Sequence, residues 1–163
     1  MIRCLNLIQI ALLVASGVAV AAEPTPSSAN AAANPVKYKA TESLAKGKHL
    51  VFIASDHEYR GEETLPAMAR ILAKHHGFDC TVLFGLDENG EVKAGESNIP
   101  GLEALATADC MIMFTRFQAL PDEQMKHIDA YLKRGGPVMG LRTSTHGFKY
   151  GNKESVYSKY DFQ

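Results

Sequence analysis

Gly135-Gly136-Pro137-Val138-Met139-Gly140-Leu141-Arg142-Thr143-Ser144-Thr145-His146 joins a helix stop, an apolar run and a tight polar turn. The paired glycines end a helix. Pro137 to Leu141 reads as a short buried strand, and the turn begins at its end. In many α/β hydrolytic folds a strand-to-helix turn of this kind carries the nucleophile, as in G-x-S-x-G. Here its tip is Arg142. The chain has the layout of a nucleophile turn without the nucleophile, so function must be built around that replacement.

Three apolar runs precede this one: Leu50 to Ala54, Cys80 to Phe84 and Cys110 to Phe114. Continuous apolar runs of this length predict strands covered on both faces, as in a parallel sheet. Helical patterns lie between them. Thr64 caps a predicted helix that runs to His76 and stops at Gly77, with Pro66 in its first turn. Leu102 to Ala106 is a short helical piece. Asp122 starts a helix with Met125, Ile128, Asp129 and Leu132 on one face, ending at Gly135. The alternation predicts a doubly wound α/β fold with the four strands in the order 2-1-3-4. Gly85 to Asn98 reads as an exposed polar connection, and Tyr150 to Gln163 shows no helix or strand pattern. The sheet is expected to be truncated after its fourth strand.

The 163 residues carry a net charge of −1, with 46% hydrophobic and 21% charged residues. There is no basic excess to mark a nucleic-acid partner. Arg3, the apolar stretch Leu5 to Val20 and Ala19-Val20-Ala21 form the pattern of a secretory signal peptide over 1–21. This predicts a periplasmic or extracellular protein with no stable membrane span after processing. Residues 22–47, rich in Ala, Pro, Ser and Asn at their start, read as a disordered linker. The folded domain is expected over 48–163. Cys80 and Cys110 fall on strands with a third strand between them. Two strand spacings are about 9.6 Å, beyond the ~7 Å that a disulfide bridges, so both thiols are expected to be free.

Ligands of doubly wound sheets bind beyond the carboxyl ends of the strands, at the switch point. Three loops reach that edge in the predicted order: Ser55 to Glu63, Thr115 to Gln118, and Arg142 to His146. Glu58 and His146 are candidate general bases, and Arg142 a candidate stabiliser of developing negative charge. Asp56, His57, Tyr59, Arg116 and Thr143 are candidate ligand-binding groups. Carboxylates accept from sugar hydroxyls, guanidiniums donate, and Tyr59 or Phe117 can stack on a ring. A charged loop that is merely solvated, with Arg116 and Arg142 paired to Asp56 and Glu58, is the plainer alternative. Asp56, His57, Glu58 and His146 are ligand types for a divalent metal, but their spacing matches no fixed motif, and neither a metal nor another cofactor is expected. Ser144 and His146 stand too close in sequence to orient on each other as a catalytic pair.

The runs Val51 to Arg60 and Gly135 to His146, together with Phe114-Thr115-Arg116-Phe117 and the helix after Pro121-Asp122-Glu123, resemble a ThuA-like (trehalose utilisation) domain. The resemblance covers Lys48 to Gln163. It implies a flavodoxin-like sheet of the class I glutamine amidotransferase type. Gly140-Leu141-Arg142-Thr143-Ser144 stands where those amidotransferases carry G-x-C-x-G. Arg142 replaces the cysteine, so glutamine amidotransferase activity is not expected. ThuA-like proteins more often have histidine there. The resemblance implies carbohydrate utilisation: trehalose, related disaccharides or keto-sugars. Three readings follow. One is proton abstraction beside a keto-sugar carbonyl by Glu58 or His146, with Arg116 and Arg142 on the oxyanion. Another is hydrolysis by Glu58 and Asp56. The third is a non-catalytic carbohydrate-binding or scaffold module. The oligomeric state is left open.

Overall fold

The computed structural model describes residues 35–41, 45 and 47–162. The expected signal peptide at 1–21 lies outside the described residues, as does much of the expected linker. Among the described residues, the chain is an α/β protein built on one five-stranded sheet. Its strands are β1 (Val36–Tyr38), β2 (His49–Ser55), β3 (Asp79–Phe84), β4 (Cys110–Thr115) and β5 (Val138–Gly140). The helices are α1 (Gly61–His76) and α2 (Asp122–Lys133), with 3-10 turns at Leu102–Thr107, Arg142–His146 and Ser158–Tyr160. The order across the sheet is β1-β3-β2-β4-β5. The four strands read from sequence therefore stand in the expected order, and they are parallel to one another.

Alternation along the strands explains why their sequences are apolar throughout. Val51, Ile53, Leu83, Met111 and Met113 form one layer with Leu102, Leu105, Met125, Ile128 and Tyr131. Phe52, Ala54, Val82, Phe84, Ile112 and Phe114 form the other with Leu65, Ala69 and Ala73 of α1. Both faces are thus covered. Each fully buried large aliphatic or aromatic side chain contributes about 1.5–3 kcal/mol.

Three expectations need correction. The sheet is mixed rather than wholly parallel, because β1 pairs antiparallel with β3, Val36 opposite Val82. That strand lies inside the stretch read as linker, so ordered structure begins before Lys48. β5 is not buried: Val138 and Met139 are 45% and 52% exposed. It is the last strand of the sheet, with β4 on one side only. The helix α1 starts at Gly61, so Thr64 is inside it, with its hydroxyl donating back to the Arg60 carbonyl. Pro66 accordingly falls in the second turn, where it removes the helical donor to Glu62 O. Glu62 and Glu63 stand at the positive end of α1, while Gly77, at φ 75°, closes the other end by donating to Leu72 O.

The C-terminal segment, which shows no helix or strand pattern in the sequence, packs against the core. Tyr157 and Tyr160 lie against the core. Tyr160 Oη donates to Asp129 Oδ1 at 2.8 Å. Lys133 and Lys159 pair with the same carboxylate, whose side chain is 8% exposed. Its hydrogen bonds from Lys133 and Tyr160 hold Asp129 down at about 2, against an ordinary 3.8. A carboxyl depressed in the folded state stabilises it above the ordinary value, and that contribution is lost as pH falls from about 5 toward 2. Acid melts should therefore show a steep loss of stability in this window. In Asp129→Asn the loss should be shallower. Equal slopes for the two proteins would remove Asp129 as its source.

Candidate functional site

The chain runs from β2 through α1 to β3, then crosses back through the Leu102–Thr107 turn to β4 on the opposite side of β2. The connections after β2 and β4 therefore leave in opposite directions, and the carboxyl ends of these strands are where open α/β sheets generally bind ligands. The segment after β5 lies at the same end of the sheet.

Only three non-glycine residues among those described have positive φ: Arg60 (54°), Phe117 (53°) and Arg142 (43°). One follows each of β2, β4 and β5. A non-glycine residue in the left-handed region costs free energy, and such residues gather where a site holds its groups in fixed directions. Arg142 thus occupies the strained tip that the sequence identified as a nucleophile turn.

Buried polar groups lock the loops together. Asp56 is 1% exposed. Its Oδ1 accepts from the amides of Glu58 and Tyr59 at 2.8 and 2.7 Å, and its Oδ2 accepts from Thr143 Oγ1 at 2.5 Å. Asp56 and Thr143 were expected to contact ligand. Instead they face each other in the interior and tie the β2 loop to the β5 turn. Burial raises the Asp56 pKa, but the bonds from Thr143, Glu58 and Tyr59 together outweigh it, and the carboxyl lies below its ordinary value. Gln118 is fully buried, and its Nε2 donates to the carbonyls of Ser55, Gly95 and Arg116. The Gly85 to Asn98 connection is thereby drawn over the edge. Gly95, at φ 76°, sits so close to His57 that an added Cβ would lie 2.7 Å from His57 Cβ.

The remaining predicted residues are presented outward or at half burial. Glu58 Oε2 lies 3.0 Å from Arg116 Nη1, which also donates to His57 Nε2 at 3.2 Å. Because Arg116 is always a donor, His57 Nε2 is the acceptor and a neutral His57 carries its proton on Nδ1. Arg142 Nη2 donates to Tyr59 Oη at 2.9 Å, and its guanidinium stands 4.1 Å from the Tyr59 ring centroid. Tyr59 in turn stacks on Phe114. Phe117 packs on His146 at 5.2 Å and lies 6.3 Å from His57. His146 Nδ1 is 3.1 Å from Thr145 Oγ1. The structure thus brings Glu58, His57 and Arg116 into one cluster and Tyr59 and Arg142 into another. His146 stands apart, without a hydrogen bond to Glu58.

Two readings weaken on this geometry. Asp56, with both oxygens engaged, is no partner for Glu58 in two-carboxylate hydrolysis. Ser144 Oγ donates to Met113 O and accepts from Thr115 N, so it is a splice between β4 and the turn rather than a nucleophile. Cys80 and Cys110 are free, on strands flanking β2. Burial pushes the Cys80 thiol up to about 11 and raises that of Cys110, the reverse of activation. Among the described residues, no group of three or more His, Cys, Asp or Glu is placed to hold a metal ion. No helix among them is long and apolar enough to cross a membrane.

The sequence pointed to no role for Phe162 or Lys149. Phe162 packs on Phe117 and His146 at 5.3 and 5.7 Å, and Lys149 Nζ lies near both phenyl rings. Their membership depends on the fold-back of the C-terminal segment, for which periodicity gives no signal. Comparison with family models, curated proteins and solved structures found no match.

Proposed function

We propose that the edge formed by the loops after β2, β4 and β5 binds a small hydroxyl-rich ligand of the sugar class. The observation that supports this most is that the three loops with left-handed residues present two clusters of donors, acceptors and rings at the same end of the sheet, Glu58 with His57 and Arg116, and Tyr59 with Arg142. Glu58 offers an acceptor, Arg116 and Arg142 offer donors, and the rings of Tyr59 and Phe117 offer stacking faces. This is the chemistry that recognises a sugar's hydroxyls and its apolar ring face. The ThuA-like resemblance points to the same class, within a flavodoxin-like sheet. With an export signal at 1–21, the sugar would be met outside the cytoplasm. Titration calorimetry with trehalose, glucose and their 3-keto forms tests the reading. Glu58→Gln and Arg142→Ala should each weaken binding about tenfold, in line with the loss of a charge-assisted hydrogen bond. Unchanged affinity in both variants would move the ligand elsewhere.

One observation favours chemistry over binding alone. Glu58 is engaged by Arg116, whereas His146 Nε2 has no hydrogen-bond partner among the described residues. His146 is then the better base for removing a proton beside a keto-sugar carbonyl, with a guanidinium on the enolate oxygen. His146→Gln should abolish turnover of a 3-keto-disaccharide and leave its binding within about twofold. Binding without turnover by the unaltered protein would instead make this a carbohydrate-binding module.

A further inference from the structure

A second cleft opens at the other end of the sheet. It lies where β1 runs beside the last turns of α1, at the amino ends of the parallel strands, whereas the sugar edge lies at their carboxyl ends. Thr41 fixes the junction: its amide donates to Ala73 O and its hydroxyl to Lys74 O. The cleft measures about 470 Å³, within the range of small-molecule sites. Lys37, Lys39, Arg70 and Lys74 all line it, together with Tyr38, Thr41 and Ala73. Four cations therefore face one cavity.

No carboxylate lines that cavity. Asp79, just outside it, answers Lys39 at 3.3 Å and accepts from the Ala40 amide. Lys37, Arg70 and Lys74 have no ion-pair partner among the described residues. The other carboxylates of the region do not restore the balance. Glu62 and Glu63 stand seven or more residues before Arg70, about 10 Å along α1. Glu103 belongs to the turn that packs on the opposite face of the sheet, and Asp109 is engaged by Lys48. Glu42 lies outside the described residues, and setting it against one lysine still leaves two cations unmatched.

The hydrogen-bonding groups are equally one-sided. Ammonium and guanidinium groups only donate, and the Thr41 hydroxyl proton is already given to Lys74 O. A neutral sugar brings donors as well as acceptors, and its hydroxyl protons would go unmet here. Closely spaced anionic oxygens use donors alone, and they bind charged donors most strongly. A single phosphate, at about −2, falls short of the three unmatched cations, and a pyrophosphate does not.

We infer that this cleft binds a pyrophosphate group, free or carried on an organic ester, with Lys37, Arg70 and Lys74 as its charge partners. The site is separate from the sugar edge and does not rest on it.

Titration calorimetry on the full chain at low salt, with pyrophosphate as the probe, tests this. Pyrophosphate should bind about fivefold more tightly than inorganic phosphate, the gain of one or two further exposed ion pairs. Its affinity should fall as salt is added. Arg70→Gln and Lys74→Gln should each weaken it several-fold, and Arg70→Glu combined with Lys74→Glu should abolish binding. Both side chains are exposed, so the variants should melt with the unaltered protein. Lys126→Gln, on the exposed side of α2, should change nothing. Tighter binding of ADP than of pyrophosphate assigns an ester-borne group, and weaker or equal binding assigns the free anion. No binding of pyrophosphate or ADP would overturn the inference, as would binding that survives the double charge reversal. A loss in Lys126→Gln equal to that in Arg70→Gln would reduce the effect to general surface charge and overturn it too. None of these results bears on trehalose or glucose binding at the other end of the sheet.

Discussion

Asp56→Ala should lower the free energy of unfolding by about 3 kcal/mol and abolish ligand binding together. The carboxylate is buried and serves two amides and one hydroxyl. Removing it strands three donors away from water, and hydrogen bonds to a charged acceptor are worth about 1.5–3 kcal/mol each before the surroundings relax. Asp56→Asn keeps one acceptor oxygen and should cost about half as much. Thr143→Val removes only the donor to Oδ2 and should fall below both. Urea unfolding of the three variants gives the order. A change within 0.5 kcal/mol for Asp56→Ala, the size of an ordinary surface substitution, would mean that the loops do not depend on this residue. Because the carboxyl lies below its ordinary value, its contribution is complete above about pH 5 and declines as the solution is acidified through the folded-state value.

Gly136→Ala should be nearly as damaging, although it adds one methyl group at a turn. A Cβ built there lies 2.3, 2.5 and 2.7 Å from the Cζ, Cε1 and Cε2 atoms of Tyr131. The ring has little room to move. Tyr131 is 1% exposed, its hydroxyl donates to Pro137 O at 2.7 Å, and the Arg134 guanidinium stands 4.6 Å from its centroid. Relief requires shifting either α2 or the entry to β5, which sets the position of Arg142. Overpacking of this kind costs roughly 3 kcal/mol. Shortening the ring in the same chain, as Tyr131→Leu, should recover part of the loss, so the pair should be strongly non-additive in a double-mutant cycle. Additive effects would show that the methyl group and the ring do not meet.

The parallel part of the fold was legible because its signals are local. Four apolar runs separated by amphipathic stretches fix four strands, three of which are buried. The stop at Gly77 and the start of α2 at Asp122 are written in a few residues. Strand β1 was not legible, because three residues give too short an alternation and its partner β3 lies more than forty positions away. The exposure of β5 was also hidden: its composition is that of a buried strand, and only its place at the end of the sheet uncovers it. At the end of the sheet, sequence position located Arg142 at the turn tip, while the structure divides the charged groups into two clusters, Glu58 with Arg116 and Tyr59 with Arg142. Sequence position could not separate the groups that face a ligand from those that hold the loops. Asp56 and Thr143 look like binding residues until their 87-residue contact is seen. Lys149 and Phe162 reach the site through a C-terminal segment whose packing depends on Asp129, a charged residue on the otherwise apolar face of α2.

The two rims of the sheet differ in a way that bears on self-association. The β1 rim is antiparallel and carries Lys37 within the strand and Lys39 just after it, features that discourage a foreign strand. The β5 rim offers Val138, Met139 and Gly140 in the open, with no charge and no proline inside the strand. A sheet with one receptive rim and one guarded rim can join a second copy rim to rim about a two-fold axis, and the joined object then presents guarded rims at both ends. Among the described residues, the backbone least protected against strand addition is that of β5, and a strand added there would use up that rim and leave only the lysine-bearing one.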